Sequence, residues 1–152
     1  GINGALKNLD QVVPGYEGQG AELAGFVWFQ GLKDSQSDSM AADYEQNLVS
    51  LIKDVRRALK APKLPVVVAT IGPGGPTVTP NTHKVINAQM AVGDPAKHPE
   101  FAGNVLCVDT RRFYRPAEQS PGGRGACFHD NAASFLDIGE AMGHAMLELS
   151  TK

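Results

Sequence analysis

The run Phe26-Val-Trp-Phe-Gln-Gly31 constrains the fold more than any other stretch of the chain. Four large apolar residues follow one another without the alternation of a half-solvated strand. The run stops abruptly at Gln-Gly and turns polar through Lys33, Asp34 and Ser35. Strands that are apolar at every position belong in parallel sheets, where both faces are covered. Two later runs share the pattern: residues 64–71, with Val66, Val67, Val68, Ala69 and Ile71, and residues 104–109, with Val105, Leu106, Cys107 and Val108. Three such strands predict a parallel sheet with helices on both faces.

Helical spacing separates the strands. Met40, Tyr44, Leu48, Leu51, Ile52, Val55 and Leu59 recur every three or four residues, and Asp43, Glu45, Lys53, Arg56 and Arg57 take much of the other surface. Asp38 or Ser39 is placed to cap this helix and Pro62 to end it. A second helix is expected over residues 81–92. The last begins near Asn131 and steps through Phe135, Ile138, Met142, Ala145 and Leu149 along one face. Gly139 and Gly143 lie one turn apart within it, each about 1 kcal/mol less favourable than Ala; close contact with a neighbour is the expected reason. Residues 1–22, rich in Gly, read as a lead-in with a helical turn near residues 5–12. The order β-α-β-α-β-(long loop)-α describes one α/β domain over residues 1–152, without an internal repeat, and 152 residues suit one such domain.

A formal charge of -2 argues against nucleic acid or an anionic membrane as partner. No apolar run approaches the roughly 18 residues of a membrane span. Neither a signal-peptide pattern nor an initiator Met opens the chain, which reads as a start at a processing or cloning boundary. Arg111, Arg112, Arg115 and Arg124 read as a solvated basic loop. Cys107 reads as a small core residue, with a Cys107–Cys127 bridge left as an open alternative. The Cys and His spacing fits no zinc pattern, so neither metal nor cofactor is expected. Gly72-Pro-Gly-Gly-Pro76 is not followed by Gly-Lys-Ser/Thr and reads as a turn.

In this topology Gln30, Gly31, Gly72, Asp109 and His129 converge where the strands end, which is where open α/β sheets build their sites. His129 stands just before the last helix, whose amino terminus favours the neutral imidazole that a general base requires. A histidine there, with a strand-end Gly corner, points to hydrolysis by a serine nucleophile. Asp34, Asp109 and Asp130 are all candidates to orient His129, and Asp130 also suits a helix cap. Gln30 suits contact with substrate and support of its own loop equally well. Trp28 reads as core. His83, His98 and His144 read as surface residues, His144 pairing with Glu140 one turn earlier. If the first strand lies at the edge, it presents unpaired backbone groups beside apolar side chains, which proteins normally cover or pair. Further strands are therefore expected from an upstream segment or a partner chain.

Taken in order, Ala24-Gly-Phe-Val-Trp-Phe-Gln-Gly31, the stretch Tyr44 to Leu59 with Ile52-Lys-Asp-Val-Arg-Arg57, Ala61-Pro-Lys-Leu-Pro65, Pro99-Glu-Phe-Ala-Gly-Asn-Val105 and the closing His129 to Leu149 form a recognisable set. The set resembles the sialate O-acetylesterase-like branch of the SGNH hydrolases, especially carbohydrate-esterase-like proteins of planctomycete-type bacteria. The resemblance runs from about Tyr16 onward and covers only the second half of that family's catalytic domain. It implies a flavodoxin-like three-layer α/β/α fold, incomplete here at about three strands. It also implies removal of acetyl groups from sugars through an acyl-serine intermediate, with an acetylated carbohydrate as substrate. The family's serine lies in a Gly-Gln-Ser-Asn-type motif after its first strand. No such motif occurs here; Gln36-Ser37 and Gln119-Ser120 lack its setting. The nucleophile is therefore expected from the upstream segment or partner chain.

By position, Gly31 matches the glycine whose backbone N–H helps to form the oxyanion hole, and His129 matches the base. The family often has Asn two residues after that glycine as a second donor. Lys33 stands there instead, an ammonium that serves as a flexible point charge. Relatives with Gln-Gly-Glu carry an acid where Leu32 stands, and others an Asp where Ala126 stands. Family habit implies a secreted, periplasmic or cell-envelope location. The departures at Leu32, Lys33 and Ala126 favour a rival reading, a non-catalytic sugar-binding or structural α/β module of a larger bacterial envelope assembly. A flavodoxin-like cofactor or signalling domain lacks a phosphate or phosphoacceptor motif.

Overall fold

The computed structural model describes residues 2–73, 78–121 and 127–151. Three parallel strands, β1 (Phe26–Trp28), β2 (Val66–Ala69) and β3 (Val105–Val108), lie in the order β1-β2-β3. Val66 stands between Phe26 and Val105. All four residues of β2 are inaccessible to solvent, as a central strand covered on both faces requires. Val66 and Val68 face one core with α3 (Asp38–Ala58) and α4 (Pro80–Val92), while Val67 and Ala69 face a second with α5 (Ala132–Ser150). This is the expected α/β/α layering, a partial flavodoxin-like fold with three strands. The lead-in holds two short helices, α1 (Ile2–Lys7) and α2 (Leu9–Val12). No helix among the described residues is long and apolar enough to cross a membrane.

β1 lies at the edge. The Phe26 N–H donates to the Pro65 carbonyl at 2.8 Å. Strand alternation then turns the backbone groups of Val27 to the open side. The Val27 side chain is 51% exposed and Phe29 is 37% exposed.

The buried stripe of α3 is Ala41, Tyr44, Leu48, Val49, Ile52 and Arg56. Met40 falls off it and is exposed. The cap is Ser37, whose side chain accepts from the Met40 N–H, rather than Asp38 or Ser39. Asp38 instead begins the first turn, where its charge suits the helix dipole. The helix ends at Ala58, and Lys60 turns left-handed (φ 54) before Pro62 is reached. Arg56 is not a surface residue. Its guanidinium donates to the Leu64 carbonyl (3.1 and 2.8 Å), the Asn104 carbonyl (3.2 Å) and Asn104 Oδ1 (2.6 Å). The long side chain reaches past its helix to the segments that enter β2 and β3, and pairing there is what permits its burial.

Asn131 caps α5 by accepting from the Ser134 N–H at 3.1 Å, so Asp130 is not the cap. Ile138, Met142 and Leu149 are buried, but Phe135 stays 42% exposed. Gly139 and Gly143 are exposed, and a Cβ added to either would meet no atom within 4 Å. Close packing therefore does not explain them. The loop after β3 is sewn to the start of α5. Arg115 donates to Ser134 Oγ (3.1 Å) and Asp137 (2.7 Å), Ser134 Oγ donates to the Phe113 carbonyl (2.7 Å), and Asn131 donates to the Gln119 carbonyl (3.0 Å). Two of the four arginines are thus paired, Arg111 with Asp109 and Arg115 with Asp137. Arg112 stacks on Phe113, and Arg124 lies outside the described residues, as do Ala126 and most of the Gly-Pro turn. Cys107 is a free thiol, which removes the bridge to Cys127. Burial pushes the Cys107 pKa up to about 12.

Candidate active site

The carboxyl ends of β1 and β2 are joined by a buried polar cluster. The Gln30 carbonyl accepts from Tyr44 Oη (2.6 Å) and from Gln89 Nε2 (2.8 Å). Gln89, wholly inaccessible, accepts the Ile71 N–H through Oε1 at 2.9 Å. Trp28 Nε1 donates to Tyr44 Oη at 3.3 Å, and the partly buried Trp28 ring packs against the core. Gly31 follows at φ +140, a conformation glycine tolerates best. A Cβ there would lie 2.9 Å from Val85 Cγ1 and 3.0 Å from Tyr44 Oη. At the next strand pair, Thr110 N–H donates to Thr70 Oγ1 (2.9 Å), and Thr110 Oγ1 donates to the Thr70 carbonyl (2.6 Å). Both threonines are fully buried.

His129 reaches the same rim from the other direction. Phe128, His129 and Asp130 all have left-handed backbones, with φ 52, 52 and 54. Such residues cost about 1–3 kcal/mol each, and surrounding structure must hold them. Phe128 supplies the hold. It is 1% exposed and packs on Phe29 (6.2 Å between ring centroids) and Phe135 (5.9 Å). Its ring lies so near Gly72 that an added Cβ there would come within 2.9 Å. Phe128 thus seats on the ends of β1 and β2, and His129 is the next residue. The imidazole Nε2 lies 2.9 Å from Tyr114 Oη.

The structure gives the candidate acids distinct surroundings. Asp34 accepts from Gln30 Nε2 at 2.7 Å, so the two side chains support one another. Asp109 is held by Arg111, whose Nε lies 2.9 Å from it, and the guanidinium lowers its carboxyl below the ordinary range. Asp130 is exposed. The Lys33 ammonium is turned to Gln36 Oε1 at 3.3 Å on an exposed surface. His98 is not the surface residue expected, since it stacks on Phe101 and its Nε2 lies 3.0 Å from Glu45. His144 stands 3.6 Å from Glu140, one turn away. Among the described residues no group of His, Cys, Asp and Glu could hold a metal ion. Sequence reasoning passed over Tyr44, Gln89 and Tyr114. Gln89 had a signal, an amide spaced three and four residues from Val85, Ile86 and Val92 on the apolar face of its helix; Tyr114 had none.

A strand-end glycine and a histidine on one rim of an α/β/α layer fit a hydrolase. The family model described as carbohydrate esterase, sialic acid-specific acetylesterase, matches residues 5–148. The chain belongs to this family. A curated relative, the probable carbohydrate esterase At4g34215 of Arabidopsis thaliana, is 32% identical over 92 residues, covering 60% of this chain and 31% of the relative. The X-ray structure of the Arabidopsis thaliana protein AT4G34215 superposes with a TM-score of 0.57 at 26% identity, over 86% of this chain and 45% of that one. The chain therefore spans less than half the length of either.

Proposed function

We propose that residues 1–152 are one domain's later part, the half of a carbohydrate O-acetylesterase that supplies base and oxyanion donor. A serine on an upstream segment or partner chain supplies the nucleophile. One observation supports the reading: Phe128, the residue before His129, packs on Phe29, two residues before Gly31, beside an edge strand with no further strand paired to it among the described residues. In the reaction, the serine oxygen attacks the acetyl carbonyl while His129 takes its proton. The carbonyl oxygen gains negative charge and accepts from the Gly31 N–H, an interaction stronger in the transition state than before it. The sugar oxygen then leaves with the proton from His129. Water repeats the sequence on the acyl-serine, releasing acetate. Tyr114 steadies the imidazole until the serine takes its place at Nε2. An acetylated sugar outside the cytoplasm is the substrate this family suggests, consistent with a secreted or envelope protein.

The test starts from the native preparation. Intact-mass measurement asks whether a second polypeptide accompanies this chain. Acetate release from para-nitrophenyl acetate or acetylated xylan is expected, and His129→Ala is expected to lower it about a hundredfold or more. Full activity in that variant would eliminate His129 as base. A second reading, a non-catalytic sugar-binding module, draws on Lys33 turned to Gln36 and on Asp34 and Asp109 engaged elsewhere. A complete native assembly with no serine near His129 would favour it.

A further inference from the structure

The peptide between Gln30 and Gly31 carries two opposed groups. No cis peptide occurs among the described residues, so the Gln30 C=O and the Gly31 N–H point opposite ways from one rigid plane. Tyr44 and Gln89 both donate to that C=O, at 2.6 and 2.8 Å. We infer that Tyr44 and Gln89 are positioning residues that turn the Gly31 N–H away from the core, toward the oxygen on which charge develops. The inference rests on the reading of Gly31 as an oxyanion donor and adds what aims it.

The Gly31 N–H itself supports the assignment. Gly31 is buried, and among the described residues no hydrogen bond leaves its N–H. A donor kept in that state is ready for an incoming oxygen.

Each part of the clamp has a single available role. Gln89 Oε1 accepts the Ile71 N–H at 2.9 Å, which leaves Nε2 facing Gln30 and Tyr44. The Tyr44 oxygen accepts from Gln89 (3.1 Å) and Trp28 (3.3 Å), which sends its own proton to the Gln30 carbonyl. Burial raises the Tyr44 pKa, so the phenol stays a donor. A chain of bonds from the end of β2 thus sets the direction of one N–H at the end of β1.

The test uses the isotope-labelled chain, with the dipolar coupling of the Gly31 N–H and its shift on titration with acetate as readouts. Acetate is expected to move the Gly31 amide saturably in the unmodified chain. Tyr44→Phe and Gln89→Met each remove one bond to the Gln30 carbonyl. Each is expected to change the Gly31 coupling and to weaken the acetate response about tenfold, while the Leu32 and Ser35 amides keep their couplings. If Gln89→Met does not fold, Tyr44→Phe decides, since it loses a single hydroxyl. Unchanged coupling and response in the folded variants overturn the positioning roles and leave the donor reading intact. A Gly31 amide indifferent to acetate in the unmodified chain overturns both.

Discussion

Asp109 closes β3 under the hand of Arg111, and the pairing has a pH signature. The Arg111 guanidinium holds the carboxyl below its ordinary pKa when the chain is folded. A depressed folded pKa contributes stability that is complete above the unfolded value and is lost as pH falls through the folded one. Asp109→Asn is therefore expected to lower stability at neutral pH and to flatten the acid limb, the two chains converging as pH falls through the folded carboxyl's range. Acid titration followed by circular dichroism checks it; an unaltered acid limb would show that the pair does not discriminate folded from unfolded. The same residue marks how far sequence reaches at this scale. The places of Gly31 and His129 were legible, because a strand-end glycine and a histidine before a helix are defined by neighbours in the chain. The choice among Asp34, Asp109 and Asp130 was not, because it depends on which way each carboxylate turns within its loop. Gln30 and Arg111 hold the first two. Tyr44 was read only as core, since its stripe on α3 is apolar on either side.

Among the elements, α5 departs most from expectation. Its order, span and buried face follow from spacing, and Ile138, Met142 and Leu149 do face the sheet. Gly139 and Gly143 do not face anything, having open space where a Cβ would stand. They carry the conformational cost of glycine in a helix without a packing return. Gly139→Ala and Gly143→Ala are each expected to stabilise the chain by about 1 kcal/mol, read from urea unfolding. Destabilisation by either would reveal a neighbour that the described residues do not include. Caps were less legible than spans. Ser37, Asp38 and Ser39 are all good capping types, and only the geometry of the turn after Gly31 selects Ser37. Arg56 misled for a related reason: a charge on a helix reads as solvated until carbonyls from the segments entering two strands are found waiting for it.

For the molecule as a whole, the sheet's open side is the property with the widest reach. β1 is bonded on one side only, and its Val27 and Phe29 side chains are half-exposed. An edge of this kind recruits another strand. The chain by itself is expected to self-associate with rising concentration in sedimentation equilibrium. Val27→Lys is expected to suppress that association while changing unfolding stability by about 0.5 kcal/mol or less. A chain that stays monomeric throughout would show that the edge is already shielded.

The opposite end of the sheet is organised differently. There Arg56 gathers main-chain oxygens that stand forty positions apart in the chain, Leu64 and Asn104, onto one planar cation. That mooring lies below β2 and β3, away from the rim of Gly31 and His129. Loops above the sheet can be re-cut or exchanged while the strands keep their footing, which makes the upper rim the place to graft new specificity.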